Sequence, residues 1–230
     1  MTSFLTSVVE PLARLAAGAR GGRALHRDGE TFHATLRVPE RPGLRLGVPV
    51  LDEPGERDVL VRMSKSLSLS RSLPDVLGLA VRVPGGTPGG GDLDLLLSTA
   101  GWPRVYPWPS TGFTSGVYST LLAYESRLGP VRLLAVADRR RRLSPDPAEL
   151  AAEVRKAPLE FVLGVDGARR APFASLLVHT PVPHAQGESR GFDPVVNSHP
   201  GLWPAGLVQR ARLVAYAGSR RGRAGDPPAL

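Results

Sequence analysis

The stretch Thr31-Phe-His-Ala-Thr-Leu-Arg-Val38 alternates polar and apolar side chains from end to end. A period of two is typical of a β-strand that buries one face and exposes the other. Pro39 and Pro42 follow and end the strand, because proline has no N–H to donate to a sheet ladder. The sequence therefore predicts a sheet with one apolar, buried face.

Short stretches of strand-like sequence recur along the chain. Further strands are predicted over residues 58–64, 78–83, 92–99, 117–124, 131–137, 159–165 and 173–179. The glycine run 85–91 joins the third and fourth strands as a hairpin, and Arg127-Leu-Gly-Pro joins the strands on either side of it. The glycine run lacks the Lys-Ser/Thr of a phosphate-binding loop.

Three helices are predicted beside these strands. The middle helix has Asp146 as its N-cap, Pro147 at the first position, Glu149 completing a capping box, and Pro158 ending it. The other two cover residues 3–17 and 206–217. No βαβ rhythm is present, so we expect an α+β fold, an antiparallel sheet or barrel with a few flanking helices. Residues 1–20 are expected to form an arm, 21–225 the main domain and 226–230 a tail.

Charge and composition limit the function classes. The formal charge is +8 and the pI about 10.8, almost all from arginine, since lysine occurs only at Lys65 and Lys156. The arginines are spread along the chain and aromatic residues are not interleaved with them, so nucleic-acid binding is an alternative but not the expectation. Cysteine is absent, which excludes disulfides and thiolate ligands. We find no signal peptide and no apolar run of about 20 residues, so we expect a cytoplasmic protein without membrane contact.

Two pairs of residues suggest chemistry. Arg212 and Tyr216 lie four positions apart on the predicted last helix and therefore on one face. An adjacent guanidinium lowers the pKa of a phenol, and a phenolate can ligate ferric haem, although such a pair can also be a packing contact. In the predicted second strand, Arg62 and Ser64 share a face, where the hydroxyl could orient an imidazole.

Taken in chain order, several segments resemble the catalase family. The resemblance covers roughly residues 20 to 225 and includes a Phe-Asp-Pro upstream of the last helix. The matching segments are Arg23-Ala-Leu-His26 and the basic turn to Gly29, Val61-Arg62-Met63-Ser64, Asp75 to Val83, Asp94-Leu-Leu96, Phe192-Asp193-Pro194, and Arg212-Leu-Val-Ala-Tyr216. The resemblance implies a catalase-like antiparallel β-barrel that binds haem b.

The resemblance also implies residue roles. Tyr216 would be the axial ligand of the haem iron, with Arg212 stabilising the phenolate. His26 would be the distal acid–base group that moves a proton between the two peroxide oxygens. Ser64 would hold the imidazole from behind.

Three arginines match positions that pair with the haem propionates, where a planar guanidinium grips a carboxylate. They are Arg23, Arg62 and Arg223. Ser98, or Thr99, stands where catalases place an asparagine over the iron, and a shorter hydroxyl would hold peroxide less well.

Further departures from the family pattern shape the expected activity. The chain lacks the long N-terminal arm and the C-terminal helical domain of typical catalases, so a more open pocket is implied. We therefore expect a weak catalase and a better peroxidase or peroxygenase, using peroxide and a small organic substrate or electron donor. The alternative is a degenerate catalase-like protein that binds or carries haem without turnover. Association into a homo-oligomer is left open.

Overall fold

The computed structural model describes residues 28–66, 73–167, 171–183 and 191–205. These residues form twelve strands and two helices. The strands are β1 (Gly29–Val38), β2 (Gly55–Lys65), β3 (Leu77–Val83), β4 (Leu93–Gly101), β5 (Tyr106–Pro107), β6 (Val117–Ser119), β7 (Tyr124–Ser126), β8 (Gly129–Val131), β9 (Leu133–Ala137), β10 (Leu159–Val165), β11 (Pro172–Pro181) and β12 (Leu202–Pro204). The helices are α1 (Pro49–Asp52) and α2 (Pro147–Lys156).

Eight of the strands form a closed antiparallel barrel. Their order is β3-β2-β1-β11-β10-β9-β6-β4, and β4 pairs with β3 to close the ring. Strand β5 adds to the end of β4, while β12, β7 and β8 form a separate small sheet. Closure leaves the eight strands without a free edge, which removes the unpaired backbone groups of an open sheet. The expected α+β fold with an antiparallel barrel is confirmed.

The alternation seen in the sequence places the core inside this barrel. In β1 the side chains of Phe32, Ala34, Leu36 and Val38 are all buried, whereas His33 and Arg37, among the residues between them, are exposed. The interior is filled by aliphatic and aromatic side chains from every strand of the ring. Tyr118 and Phe161 meet there edge to face, with ring centroids 5.7 Å apart.

The structure confirms most predicted strands and corrects others. The segment 117–124 is not one strand, because the chain turns at Leu121 (φ 56°) and divides it into β6 and the start of β7. The partner segment 131–137 is likewise divided between β8 and β9. The predicted loop regions contain two short strands, β5 and β12, which alternation could not reveal because each is only two or three residues long.

The predicted middle helix is observed as α2, with one correction to its cap. The Asp146 carboxylate accepts a hydrogen bond from the Ala148 backbone N–H at 3.0 Å. The Asp146 N–H donates to Ser144 Oγ at 3.1 Å, so a serine before the helix takes the place that a capping box gives to Glu149. The helix ends at Lys156, before Pro158, as expected.

Some expectations fall on parts of the chain outside the described residues. These are the helices over 3–17 and 206–217, and with them the arm over 1–20 and the tail over 226–230. Within the described residues, neither helix is long and apolar enough to cross a membrane.

We predict that stability falls above about pH 10 because burial raises the pKa of Tyr118 and Tyr124. The unfolded chain releases these protons near its ordinary tyrosine pKa of about 10, so unfolding is favoured as pH rises further. At half a unit above that pKa, each buried tyrosine should lower the free energy of unfolding by about 1 kcal/mol. Urea denaturation at pH 8 and pH 10.5 measures the loss.

Tyr118→Phe tests the assignment. At pH 8 it should cost about 1 kcal/mol, because the phenol donates to the Phe113 carbonyl at 2.9 Å. Between pH 8 and pH 10.5 it should lose less stability than the wild type. Tyr106→Phe, at a side chain that is 52% exposed, is the matched control. It should change neither the free energy of unfolding at pH 8 nor the loss between pH 8 and pH 10.5. Equal alkaline losses in the wild type and Tyr118→Phe would refute the assignment to Tyr118.

Candidate functional site

The ladders of the barrel bring Ser64 and Ser98 onto one row of its outer face. Ser64 of β2 is the partner of Gly78 of β3, and Gly78 is in turn the partner of Ser98 of β4. Partners in antiparallel strands point their side chains to the same face. Since the neighbouring residues Met63 and Leu97 point into the core, the two serines point outward, on either side of a glycine.

The row continues in both directions with small residues. Gly29 of β1 is the partner of Ser64, and Ser119 of β6 is the partner of Ser98. A Cβ at Gly29 would come within 2.6 Å of the Ser64 Cβ, so glycine is required by this close approach. We call this set the small-residue row: Gly29, Ser64, Gly78, Ser98 and Ser119. Its members carry no side chain larger than that of serine, and Ser64 and Ser119 are buried, so whatever covers this part of the outer face approaches the strands closely.

The Ser98 hydroxyl is a buried polar atom without a hydrogen-bond partner among the described residues. Such atoms are uncommon in folded proteins, and each requires an explanation such as a missing ligand. Thr99, the other residue considered at this position, is used differently. Its hydroxyl accepts from the Leu77 N–H at 3.0 Å and donates to the Trp108 carbonyl at 2.7 Å. The geometry therefore favours Ser98 as the residue that faces a ligand.

Arg62 lies one row further along the outer face. Its partners across the ladders are Thr31 and Ala80, and its guanidinium donates to Thr31 Oγ1 at 3.4 Å. Arg62 and Ser64 lie on one face of β2, as the sequence predicted. A small-residue row beside an arginine, with one unpartnered hydroxyl, fits a flat ligand that carries carboxylates, and haem has this form.

A buried ion pair lies further along the same face. Arg82 of β3 is the ladder partner of Asp94 of β4. Its guanidinium donates two hydrogen bonds to the carboxylate, from Nε to Oδ1 at 2.7 Å and from Nη2 to Oδ2 at 2.6 Å. Asp94 is fully buried, and its hydrogen bond is the main cause that raises the pKa of Arg82. This pair is charged, planar and almost excluded from water.

The ion pair fixes the segment Gly191–Asn197 to the barrel. Asp94 Oδ2 accepts from the Asp193 backbone N–H and from Asn197 Nδ2, each at 2.8 Å. Arg82 donates to the Gly191 carbonyl at 2.8 Å, and its Cζ lies 4.8 Å from the centroid of the Phe192 ring. The Phe-Asp-Pro motif therefore docks on the outer face, ten residues or so before the predicted last helix.

The structure describes three of the eight predicted site residues. These are Arg62, Ser64 and Ser98, and the barrel brings them to neighbouring positions of one face. The other five lie outside the described residues, and their assignments stay predictions. They are Arg23, His26, Arg212, Tyr216 and Arg223.

Sequence reasoning missed two features of this face. The Arg82–Asp94 pair could have been found from the predicted hairpin. In its register the numbers of two paired residues add up to 176, so Arg82 lies opposite Asp94. The place of Ser119 in the row could not, since its partner Ser98 is in a strand that is not adjacent along the chain. Long-range register leaves no local pattern in a sequence.

Comparison with solved structures identifies the fold. A fungal catalase matches with a TM-score of 0.63 and 14% identity, covering 94% of this chain and 63% of that one. Catalase A from Saccharomyces cerevisiae matches with a TM-score of 0.65 and 13% identity, covering 94% of this chain and 64% of that one. A bacterial catalase gives 0.58 and 14%, with 93% and 60% of the two chains covered. The barrel is therefore that of the catalase fold.

The likeness has two limits. The chain spans about three fifths of the length of the catalases that it matches. No protein-family model matches the sequence, and no curated protein matches it. The resemblance inferred from short motifs thus extends to the fold of almost the whole chain.

We predict that the Arg82–Asp94 pair is strongly coupled, because removing one partner leaves the other buried and uncompensated. Arg82→Met and Asp94→Ala should each lower the free energy of unfolding by about 3–5 kcal/mol, and the double variant by less than their sum. The matched control is the outer-face pair Arg37–Glu56, whose side chains are 60% and 56% exposed.

Urea denaturation of both double-mutant cycles measures the coupling. The exposed pair should give at most about 1 kcal/mol. A coupling for Arg82–Asp94 no larger than that of the control would show that the buried pair does not anchor the segment Gly191–Asn197.

Proposed function

We propose that this protein is a haem-dependent oxidoreductase that uses hydrogen peroxide or an organic peroxide. The observation that carries the proposal is the small-residue row with the unpartnered Ser98 hydroxyl, on a barrel of the catalase fold. The named relatives are catalases, and their chemistry is extended here to this chain. When bound, ferric haem b would supply the redox chemistry by which peroxide is reduced.

The chain's own residues would bind the group and manage the proton. Tyr216 would give its phenolate to the iron, and Arg212 would hold that oxygen deprotonated. His26 would take a proton from the near peroxide oxygen and return it to the leaving oxygen. Ser64, between Gly29 and Gly78 in the row, would hold the imidazole in one orientation.

Anchoring of the haem carboxylates would use arginines. Arg62 lies on the same outer face as Ser64, and Arg23 and Arg223 are proposed beside it. A planar guanidinium forms two parallel hydrogen bonds with a carboxylate, which fixes orientation as well as adding affinity.

Within this class we propose peroxidase or peroxygenase chemistry over peroxide disproportionation. Ser98 is shorter than the amide that catalases place in the corresponding strand, so a bound peroxide would be held less firmly. Such a site would favour transfer of oxidising equivalents to a small organic substrate or electron donor. A protein that merely carries haem would not need the acid–base residue His26.

The proposal is tested first by the visible spectrum of the protein expressed with a haem precursor. The wild type should show a Soret band with a high-spin ferric pattern, and Tyr216→Phe should lose or shift it because the axial oxygen is gone. A colourless protein that also fails to take up added haemin would end the proposal.

We predict that His26→Ala separates chemistry from haem binding. The variant should keep the Soret band but lose peroxide-dependent oxidation of a phenolic donor by about 100-fold or more, since general acid–base catalysis contributes at least that much. Steady-state rates at matched haem content give the measurement. Unchanged turnover in this variant would instead support the haem carrier.

We also predict that Ser98→Asn raises peroxide disproportionation. A longer amide can donate to peroxide from the same row position, and one added hydrogen bond to a reacting group corresponds to roughly a tenfold rate increase. Oxygen release measured with an electrode tests this. Ser175→Asn, on the outer face of β11, is the control and should leave the rate unchanged; an equal increase in both variants would exclude a specific role for position 98.

A further inference from the structure

Arg104 carries two buried donors that nothing in the described structure accepts. Its Nε and Nη1 atoms have no hydrogen-bond partner. With Ser98 Oγ they are the buried side-chain polar atoms left unpartnered among the described residues. A guanidinium is always charged, and burying it without an acceptor is costly. Arg104 as a whole is partly exposed, but these two donors are buried without an acceptor, which makes them a candidate anion site.

The backbone holds Arg104 in a conformation that a free chain avoids. Its φ is 74°, and the other described non-glycine residue with positive φ is Leu121, at 56°. One hydroxyl connects the two residues. Ser119 Oγ donates to the Arg104 carbonyl at 2.8 Å and accepts from the Leu121 N–H at 3.1 Å. Left-handed conformations of non-glycine residues persist where the surroundings enforce them, and they concentrate at functional sites.

This turn lies at the end of the small-residue row. Ser119 is the last member of that row and the ladder partner of Ser98. The hydroxyl that fixes the Arg104 backbone is therefore one strand away from the unpartnered Ser98 hydroxyl.

The turn also carries exposed aromatic side chains. Trp102, Tyr106 and Trp108 lie within four residues of Arg104 and are all more than half exposed. Large exposed apolar side chains that occur together mark a binding surface more often than isolated ones do. An arginine beside them suits a ligand that has a negative head and an apolar body.

From these observations we propose that Arg104 binds the carboxylate of an acidic ligand with an apolar body. Nε and Nη1 lie on different edges of the guanidinium, so a carboxylate oxygen would accept a single charge-assisted hydrogen bond from one of them. Two sources share this chemistry, a haem propionate and a separate organic acid. The link to turnover, by which a bound acid would be the substrate, rests on the proposed function, whereas the anion site does not.

The test is binding of decanoate, measured by equilibrium dialysis on the full chain. The wild type should bind decanoate more tightly than acetate, and Arg104→Met should weaken decanoate binding by about tenfold or more, the effect of losing a charge-assisted hydrogen bond. The matched control is Arg139→Met, at an exposed arginine, which should bind as the wild type does. Without ligand, Arg104→Met should be at least as heat-stable as the wild type, because it removes two buried donors that have no acceptor.

Haemin titration separates the two sources. If the partner is a propionate, Arg104→Met takes up haemin less tightly and decanoate competes with haemin. If it is a separate acid, haemin uptake is unchanged and decanoate also binds the haem-loaded protein. Arg104→Lys keeps the positive charge but loses the guanidinium donors, so its affinity for the ligand should fall between those of the wild type and Arg104→Met. This variant provides the test if Arg104→Met does not fold.

Two results overturn or isolate the inference. If Arg104→Met binds both decanoate and haemin as tightly as the wild type, Arg104 is not an anion site. If no variant takes up haemin but decanoate binding still depends on Arg104, the proposed haem function fails and the anion site stands.

Discussion

Closure of the barrel through the β3–β4 ladder is the constraint on which the rest of the structure depends. Once these strands pair, the period of two along each strand decides which side chains point outward. Ser64, Gly78 and Ser98 then form one row because of their register alone. A slip of one residue would turn this row into the core and bring Met63 and Leu97 to the surface.

The interior and the outer face have different roles. The interior is apolar and supplies the packing that holds the strands. On the outer face, Arg82 and Asp94 fix the segment Gly191–Asn197, and Ser119 fixes the turn at Arg104. The ion pair and the Ser119 hydroxyl each hold irregular backbone against rigid strands, and rigid strands are what position loop residues precisely.

The sequence predicted the barrel strands well because their signal is local. The alternation over residues 31–38 is complete, and the structure shows the strand there as Gly29–Val38. It failed over 117–124, where a left-handed residue at Leu121 turns the chain and no glycine marks the position. Propensity alone does not indicate such a turn, since its stability comes from the Ser119 hydroxyl.

The candidate site was predictable only in part. Arg62 and Ser64 share a face by simple counting along one strand, but the relation of Ser64 to Ser98 needs the register of two ladders. Arg104 carried no sequence signal at all. Its importance lies in two atoms that are buried without a partner, and burial is a property of the folded chain.

The central claim is that the small-residue row seats the haem, and blocking the row tests it most directly. Gly78→Leu places a branched side chain between Ser64 and Ser98 on the outer face, and Ser175→Leu places the same side chain on the outer face of β11. Haemin titration followed by absorbance, with circular dichroism to verify folding, compares the two. The account predicts that Gly78→Leu folds but does not bind haemin, while Ser175→Leu binds it as the wild type does. Normal haemin binding by a folded Gly78→Leu protein would contradict it.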